Sequence, residues 1–190
     1  MNKKKKNLSS AQIILMGFGG LILTGTFLLM LPLSSAQGQW TPFIDALFTA
    51  TSASCVTGLV VYDTATYWSV FGQFIILLLI QTGGLGVVTM AIAIAMASGR
   101  KISLSRRQTM QDAISATQVG GIVRLTGFIL KSCAVIEIAG AVCYSFVFVP
   151  EFGLLKGMWY SLFHSVSAFC NAGFDLMGVK MQFSSLTDYT

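Results

Sequence analysis

Gly58 and Gly173 each close a short apolar stretch without a carboxylate: residues 46–62 and 157–174 carry neither Asp nor Glu. A cation held in either stretch must be held by neutral oxygen. Backbone carbonyls are the obvious source, because a glycine accepts positive φ and lets successive carbonyls point toward one axis. Such weak dipoles favour an ion that sheds its water cheaply, K+ before Na+ or Ca2+. The candidate ligands are the carbonyls of Cys55, Val56, Thr57 and Gly58, and of Cys170, Asn171, Ala172 and Gly173. The Thr57 and Asn171 side chains can equally cap local backbone, so the ion contacts are assigned to the main chain. Asp63 and Asp175, just beyond the two turns, could raise the local cation concentration.

These stretches are copies of each other. At an offset of 115 residues, 47–58 falls on 162–173 with six of twelve positions identical, and Gly25 falls on Gly140. One short helix ending in glycine is commonly only a helix with a Schellman-type cap. Two copies at matched positions instead signal a duplicated unit: span, short apolar segment, glycine turn, return span.

The elements that must carry these turns belong in a membrane. Of 190 residues, 54% are hydrophobic and 10% charged, and no charge occurs from Asn7 to Ile44; a soluble domain has about 25% charged residues. Crossing a hydrocarbon core of about 30 Å takes roughly 20 apolar residues. Residues 11–31, 69–97 and 127–148 qualify, and the second, being over-long, is expected to tilt or kink. The first run, with Lys3 to Lys6 before it and Ser34-Ser35-Ala36 after it, exceeds a signal-peptide core and reads as an uncleaved span. Lys and Arg lie before the first span and, as Arg100, Lys101, Arg106, Arg107 and Arg124, between the second and third. Both regions therefore face the cytoplasm, and the net charge of +5 needs no nucleic-acid partner.

The short segments between spans are too brief to cross alone. In the first, Thr41 suits an N-cap, Pro42 the first helical position and Asp45 the first turn, with the helix ending near Ser54 and an extended strand returning outward. That is a re-entrant loop, tolerated in lipid only where it lines a protected or aqueous path.

Other residues divide between function and packing. Glu137, mid-span, is by default a functional candidate, balanced against a hydrogen-bonded acid buried between helices. Lys131 can snorkel. Gly83-Gly84-Leu85-Gly86 suits close helix packing rather than a phosphate turn. Cys55, Cys133, Cys143 and Cys170 lack metal-ligand spacing, and the single His164 suits packing or capping. Residues 98–121 read as a basic, lipid-facing connection. No constellation for catalysis is visible.

Residues 45–59 (DALFTATSASCVTGL), 81–86 (QTGGLG) and 161–174 (SLFHSVSAFCNAGF) resemble the Trk/Ktr/HKT superfamily of potassium transporters, nearest the bacterial Ktr membrane subunit, KtrB. The resemblance implies an all-α membrane protein of span, re-entrant pore loop and span units, four of them around a central cation pore with a glycine in each filter. Gly58 and Gly173 match those glycines, flanked by Val56, Thr57, Asn171 and Ala172. A serine in place of the first glycine goes with sodium permeation, so Gly58 favours K+ as the transported ion, with Na+ open as a second. The resemblance also implies a homodimer, a cytosolic nucleotide-binding regulatory subunit that could dock at Arg106 and Arg107, and no covalent cofactor.

On this reading residues 1–10 are a cytoplasmic tail, 11–97 a first repeat, 98–121 a cytoplasmic connection and 122–190 an incomplete second repeat. The sequence stops after the second loop, so the expectation is a truncated product, inactive unless completed. A small oligomeric cation channel and a non-transporting membrane assembly protein are the competing readings.

Overall fold

The computed structural model describes residues 10–86, 89, 122–179 and 183–185. Within them are α1 (Ser10–Met30), α2 (Phe43–Ser54), α3 (Val70–Leu85), α4 (Ile122–Phe152) and α5 (Leu154–Phe169), with 3-10 turns at Pro32–Ser34 and Met177–Val179. Strand pairing among the described residues is limited to one bridge between Ser35 and Trp68. The described chain is all-α.

Ala11–Met30 and Leu125–Phe152 are long and apolar enough to cross a membrane. Only 17% and 11% of their most apolar windows are buried, whereas the core helix of a soluble protein would be mostly covered. Phe27, Phe128, Ile138 and Phe146 are all more than half exposed. Such continuous apolar faces require lipid or further protein. The stretch expected as the second span is helical for 16 residues, about 24 Å, and this helix stops where Gly86 takes φ 85 and ψ 132. Residues 90–97, the connection 98–121, and Arg106 and Arg107 within it lie outside the described residues.

Local chemistry sets the helix ends. α1 stops before Pro32, whose ring holds Leu31 extended at φ −64, ψ 143. α2 begins one residue later than its sequence suggests. Pro42 itself is the N-cap, without a side-chain cap bond, and Thr41 is instead buried with its hydroxyl 3.1 Å from the Tyr67 hydroxyl. Asp45 does occupy the first turn and Ser54 does end the helix. Ser69 caps α3 by accepting from Gly72 N at 3.2 Å, and its hydroxyl donates to Leu33 O at 2.6 Å. Ser34 and Ser35, in the small-residue stretch after α1, are buried and tie that turn to the start of α3.

α1, α2 and α3 pack mutually, α4 and α5 form a hairpin, and α3 reaches from the first group to α5. Leu29, Trp68, Ile76, Ile80, Phe148, Phe163 and Leu176 are buried in one core cluster, held between apolar helices by van der Waals packing. Between α4 and α5 an open groove of about 820 Å³ is lined by Ile138, Val142, Phe146, Leu155, Met158 and other mainly apolar residues. Its lining has no carboxylate or carbonyl cage for a cation, so the chemistry lies elsewhere.

Candidate functional site

The two short helices end in the same pattern. In the first copy Cys55 N donates to Thr51 O (2.8 Å), Val56 N to Ala53 O (3.3 Å) and Thr57 N to Ser52 O (2.9 Å). In the second, Cys170 N donates to Val166 O (2.9 Å), Asn171 N to Ala168 O (3.0 Å) and Ala172 N to Ser167 O (2.7 Å). These crossed bonds are Schellman motifs. The left-handed residue each motif needs is Val56, at φ 57, or Asn171, at φ 56, and not the glycine. A β-branched residue held there costs on the order of 1–3 kcal/mol.

Gly58 and Gly173, two residues further on, take φ 75 and 74. Their left-handed backbone is thus additional to the cap. Positive φ at positions two apart lets successive carbonyls turn toward one side. No strand follows; residues 57–60 lack regular secondary structure because their tether is a side chain, not a neighbouring strand. Ser52 Oγ donates to Leu59 O at 2.7 Å, and its counterpart Ser167 Oγ donates to Phe174 O at 2.5 Å. Thr57 Oγ1 donates to Ser52 Oγ at 2.9 Å, so that hydroxyl does serve local structure.

The two loops meet at their glycines. A methyl group at Gly58 would lie 2.6 Å from Ala172 O and 3.2 Å from Gly173 Cα, and one at Gly173 would lie 3.3 Å from Gly58 Cα. Cys55, Thr57, Asn171 and Gly173 are exposed, Val56, Gly58 and Cys170 half-buried, and Ala172 buried. The C-terminal ends of α2 and α5, with their partial negative charge, run into these loops. A cavity of about 230 Å³ opens beside the second loop, lined by Ala168 and Phe174 together with His164, Ser167, Asn171 and Asp175, among others.

Beneath the loops, α3 supplies a close-packed floor. A side chain at Gly83 would overlap Ser54 O, and one at Gly84 would lie 2.6 Å from Cys170 Sγ. The small residues of 81–86 therefore serve packing. Glu137 is 8% exposed; its carboxylate accepts from Gln81 Nε2 at 2.8 Å and its backbone carbonyl from Ser165 Oγ at 2.6 Å. His164, packed among Tyr144, Phe148, Tyr160 and Phe163, joins two backbone groups. Nδ1 is 2.7 Å from Tyr160 O, and Nε2 accepts from Leu176 N at 3.2 Å. Nδ1 therefore carries the proton, and His164 pins the chain that leaves the second loop.

Asp63 does not serve as an open attractor of cations. It is 5% exposed; Oδ1 accepts from Ala65 N, Thr66 N and Thr66 Oγ1, and Oδ2 from Phe183 N at 2.8 Å. A buried carboxylate is retained where donors surround it, and here it clasps the segments that follow the two loops. Asp175 is half-buried and accepts from Met177 N at 3.0 Å. Tyr62 donates to Asp45 Oδ2 at 2.6 Å and stacks on Tyr67 at 3.9 Å. The hydrogen bond to Asp45, aided by burial and the Asp45 charge, pushes the Tyr62 phenol up to about 12.

Sequence reasoning assigned no role to Ser52, Ser167, Gln73 or Gln81. The two serines were signalled by their identity across the repeat. Gln73, buried and bonded to Trp68 O at 3.1 Å and Trp159 Nε1 at 2.8 Å, was signalled only by being an amide inside an apolar helix.

A family model for TrkH, a cation transport protein, matches residues 5–183. The chain belongs to the TrkH family. It is 51% identical over 174 residues to the potassium/sodium uptake protein NtpJ of Enterococcus hirae, covering 92% of this chain and 39% of that relative. Against the Ktr system potassium uptake protein B of Bacillus subtilis it is 45% identical over 166 residues, 87% of this chain and 37% of the relative. The protein B of Vibrio alginolyticus is 40% identical over 170 residues, with 90% and 37% covered. These similarities bear out the Trk/Ktr resemblance, close to KtrB, and a membrane protein is what the apolar helices of this TrkH chain require. The chain spans less than two-fifths of the length of these relatives.

Proposed function

We propose that the chain is part of the ion-translocating subunit of a Ktr/Trk-type potassium uptake system, and that the carbonyls of 55–58 and 170–173 are two quarters of its filter. The observation that carries this is the duplicated loop geometry meeting at Gly58 and Gly173 in a TrkH-family chain. Each loop combines a helix C-terminus, left-handed residues two apart and no carboxylate, a setting suited to a partly dehydrated monovalent ion. K+ is the transported ion on this reading, with Na+ open as a second, as the name of the Enterococcus relative has it. The chemistry is transport rather than catalysis.

The same reading places residues 11–97 and 122–190 as a first and second repeat in a bacterial cytoplasmic membrane, with residues 1–10 and 98–121 on the cytoplasmic side. Resemblance to Ktr systems supports a homodimer and a cytosolic nucleotide-binding regulatory subunit, with Arg106 and Arg107 as its docking residues. Charge reversal at both arginines should reduce co-purification of that subunit.

The test of transport is growth of cells lacking K+ uptake, supplied with this chain continued by the remaining length of the Enterococcus relative. Rescue at low K+ by the Gly58 form, with weakened K+ over Na+ preference in Gly58→Ser, is expected. Rescue with unchanged preference in Gly58→Ser would overturn the carbonyl-filter reading, and absence of rescue by a membrane-inserted product would favour an assembly role.

A further inference from the structure

We propose that Gln81 is a positioning residue shared by the two copies, its amide joining the Glu137 carboxylate of α4 to the Cys170 thiol at the entry of the second loop. The return helix of the first copy thereby shapes the ion-facing loop of the second. This rests on the filter reading above and adds to it a residue that touches no ion.

The geometry is a relay of two hydrogen bonds. Cys170 Sγ donates to Gln81 Oε1 at 3.9 Å, and Gln81 Nε2 donates to Glu137 Oε1 at 2.8 Å. An amide and a carboxylate inside otherwise apolar helices are costly unless each finds a partner, and here each does. Their neighbours reinforce the junction. Gly84 lies against Cys170 and Gly83 against Ser54 O, so the turn of α3 that carries Gln81 contacts the end of each short helix. Ser165 Oγ, donating to Glu137 O, binds α5 to the same point on α4.

The junction is not duplicated. At the 115-residue offset, Ile22 of α1 stands where Glu137 stands in α4. Cys55, the counterpart of Cys170, is exposed, whereas Cys170 is half-buried. Among the described residues the relay acts on the second loop, and Cys55 gives the experiment an internal reference.

The experiment uses the completed protein of the rescue assay in membrane vesicles, in two backgrounds retaining either Cys170 or Cys55 as the sole thiol, with modification by a methanethiosulfonate reagent followed in time. Gln81→Leu and Glu137→Leu should each speed modification of Cys170 about tenfold, the factor that loss of one buried hydrogen bond carries. Glu137→Gln, which keeps an acceptor for the amide, should restore the slow rate, and Cys55 should react equally in all variants. K+ should slow modification of Cys170 in the parent, and this protection should be lost in Gln81→Leu. An unchanged Cys170 rate in Gln81→Leu, or a parallel rise at Cys55, overturns the positioning role. K+ protection that persists in Gln81→Leu also overturns it and leaves the filter reading standing. No protection by K+ in the parent overturns the filter reading itself.

Discussion

The loop at 55–59 and the loop at 170–174 share a backbone and differ in what holds it. Both have crossed bonds at the helix end, a left-handed residue, a left-handed glycine and a buried serine tethering the carbonyl beyond. Around that common form the first loop is held from outside, where Tyr62 bonds Asp45 and Thr41 meets Tyr67. The second is held from behind, by His164 on Leu176 N and by Gln81 on Cys170. Duplication has kept the part that would face an ion and let the supports diverge, which is the division expected if the loop backbone carries the function.

The sharpest way to break this comparison is to add a methyl group at each glycine. Gly58→Ala forces a left-handed alanine and places its Cβ 2.6 Å from Ala172 O, while Gly173→Ala places its own 3.3 Å from Gly58 Cα. Each should cost on the order of 2 kcal/mol of loop stability. Gly58→Ala should be the worse of the two, read as loss of K+ over Na+ preference in the rescue assay. Equal and small effects would mean that the loops do not meet there.

Next in size is His164→Leu, which leaves Leu176 N without its acceptor and removes the imidazole's bond to Tyr160 O, which keeps its helical backbone donor. It should lower thermal stability by about 1–3 kcal/mol. The first copy has Thr49 at this position, bonded only within its own helix to Asp45 O at 2.9 Å. Thr49→Ala should therefore cost less than about 1 kcal/mol, and the contrast between the two substitutions measures how far the supports have diverged.

Much of this site was legible in the sequence because its constraints are local. The repeat, the end of the short helix at Ser54, the glycines and the absence of carboxylates follow from residue types at short range. Val56 and Asn171 as left-handed residues were not, since a β-branched side chain argues against that conformation and only the surrounding hydrogen bonds impose it. Asp63 was misjudged and Gln81 passed over for a different reason: their partners lie 120 and 56 residues away in the chain. Pattern within a window cannot find such contacts. The one-residue error at Thr41 is of a third kind, a hydroxyl drawn from a local cap to a tertiary partner, Tyr67.

A smaller effect belongs to Tyr62. Its phenol is raised from 10.0 to about 12, so the bond to Asp45 is intact below pH 10 and its contribution is lost as pH rises through about 12. Ultraviolet titration should show a late tyrosinate component that is reduced, and not abolished, in Tyr62→Phe, while K+ preference stays near that of the parent. The smallest effect is expected at Ser54, whose buried hydroxyl has no hydrogen-bond partner. Ser54→Ala should change thermal stability by less than about 0.5 kcal/mol or raise it.

The central claim is that peptide oxygens at 55–58 and 170–173 hold a bare monovalent cation. Anomalous X-ray scattering from crystals of the transporter soaked in Tl+ tests it most directly. Peaks within coordination distance of carbonyls from both loops are the predicted result; peaks confined to carboxylates such as Asp175, or to sites away from both loops, would contradict it.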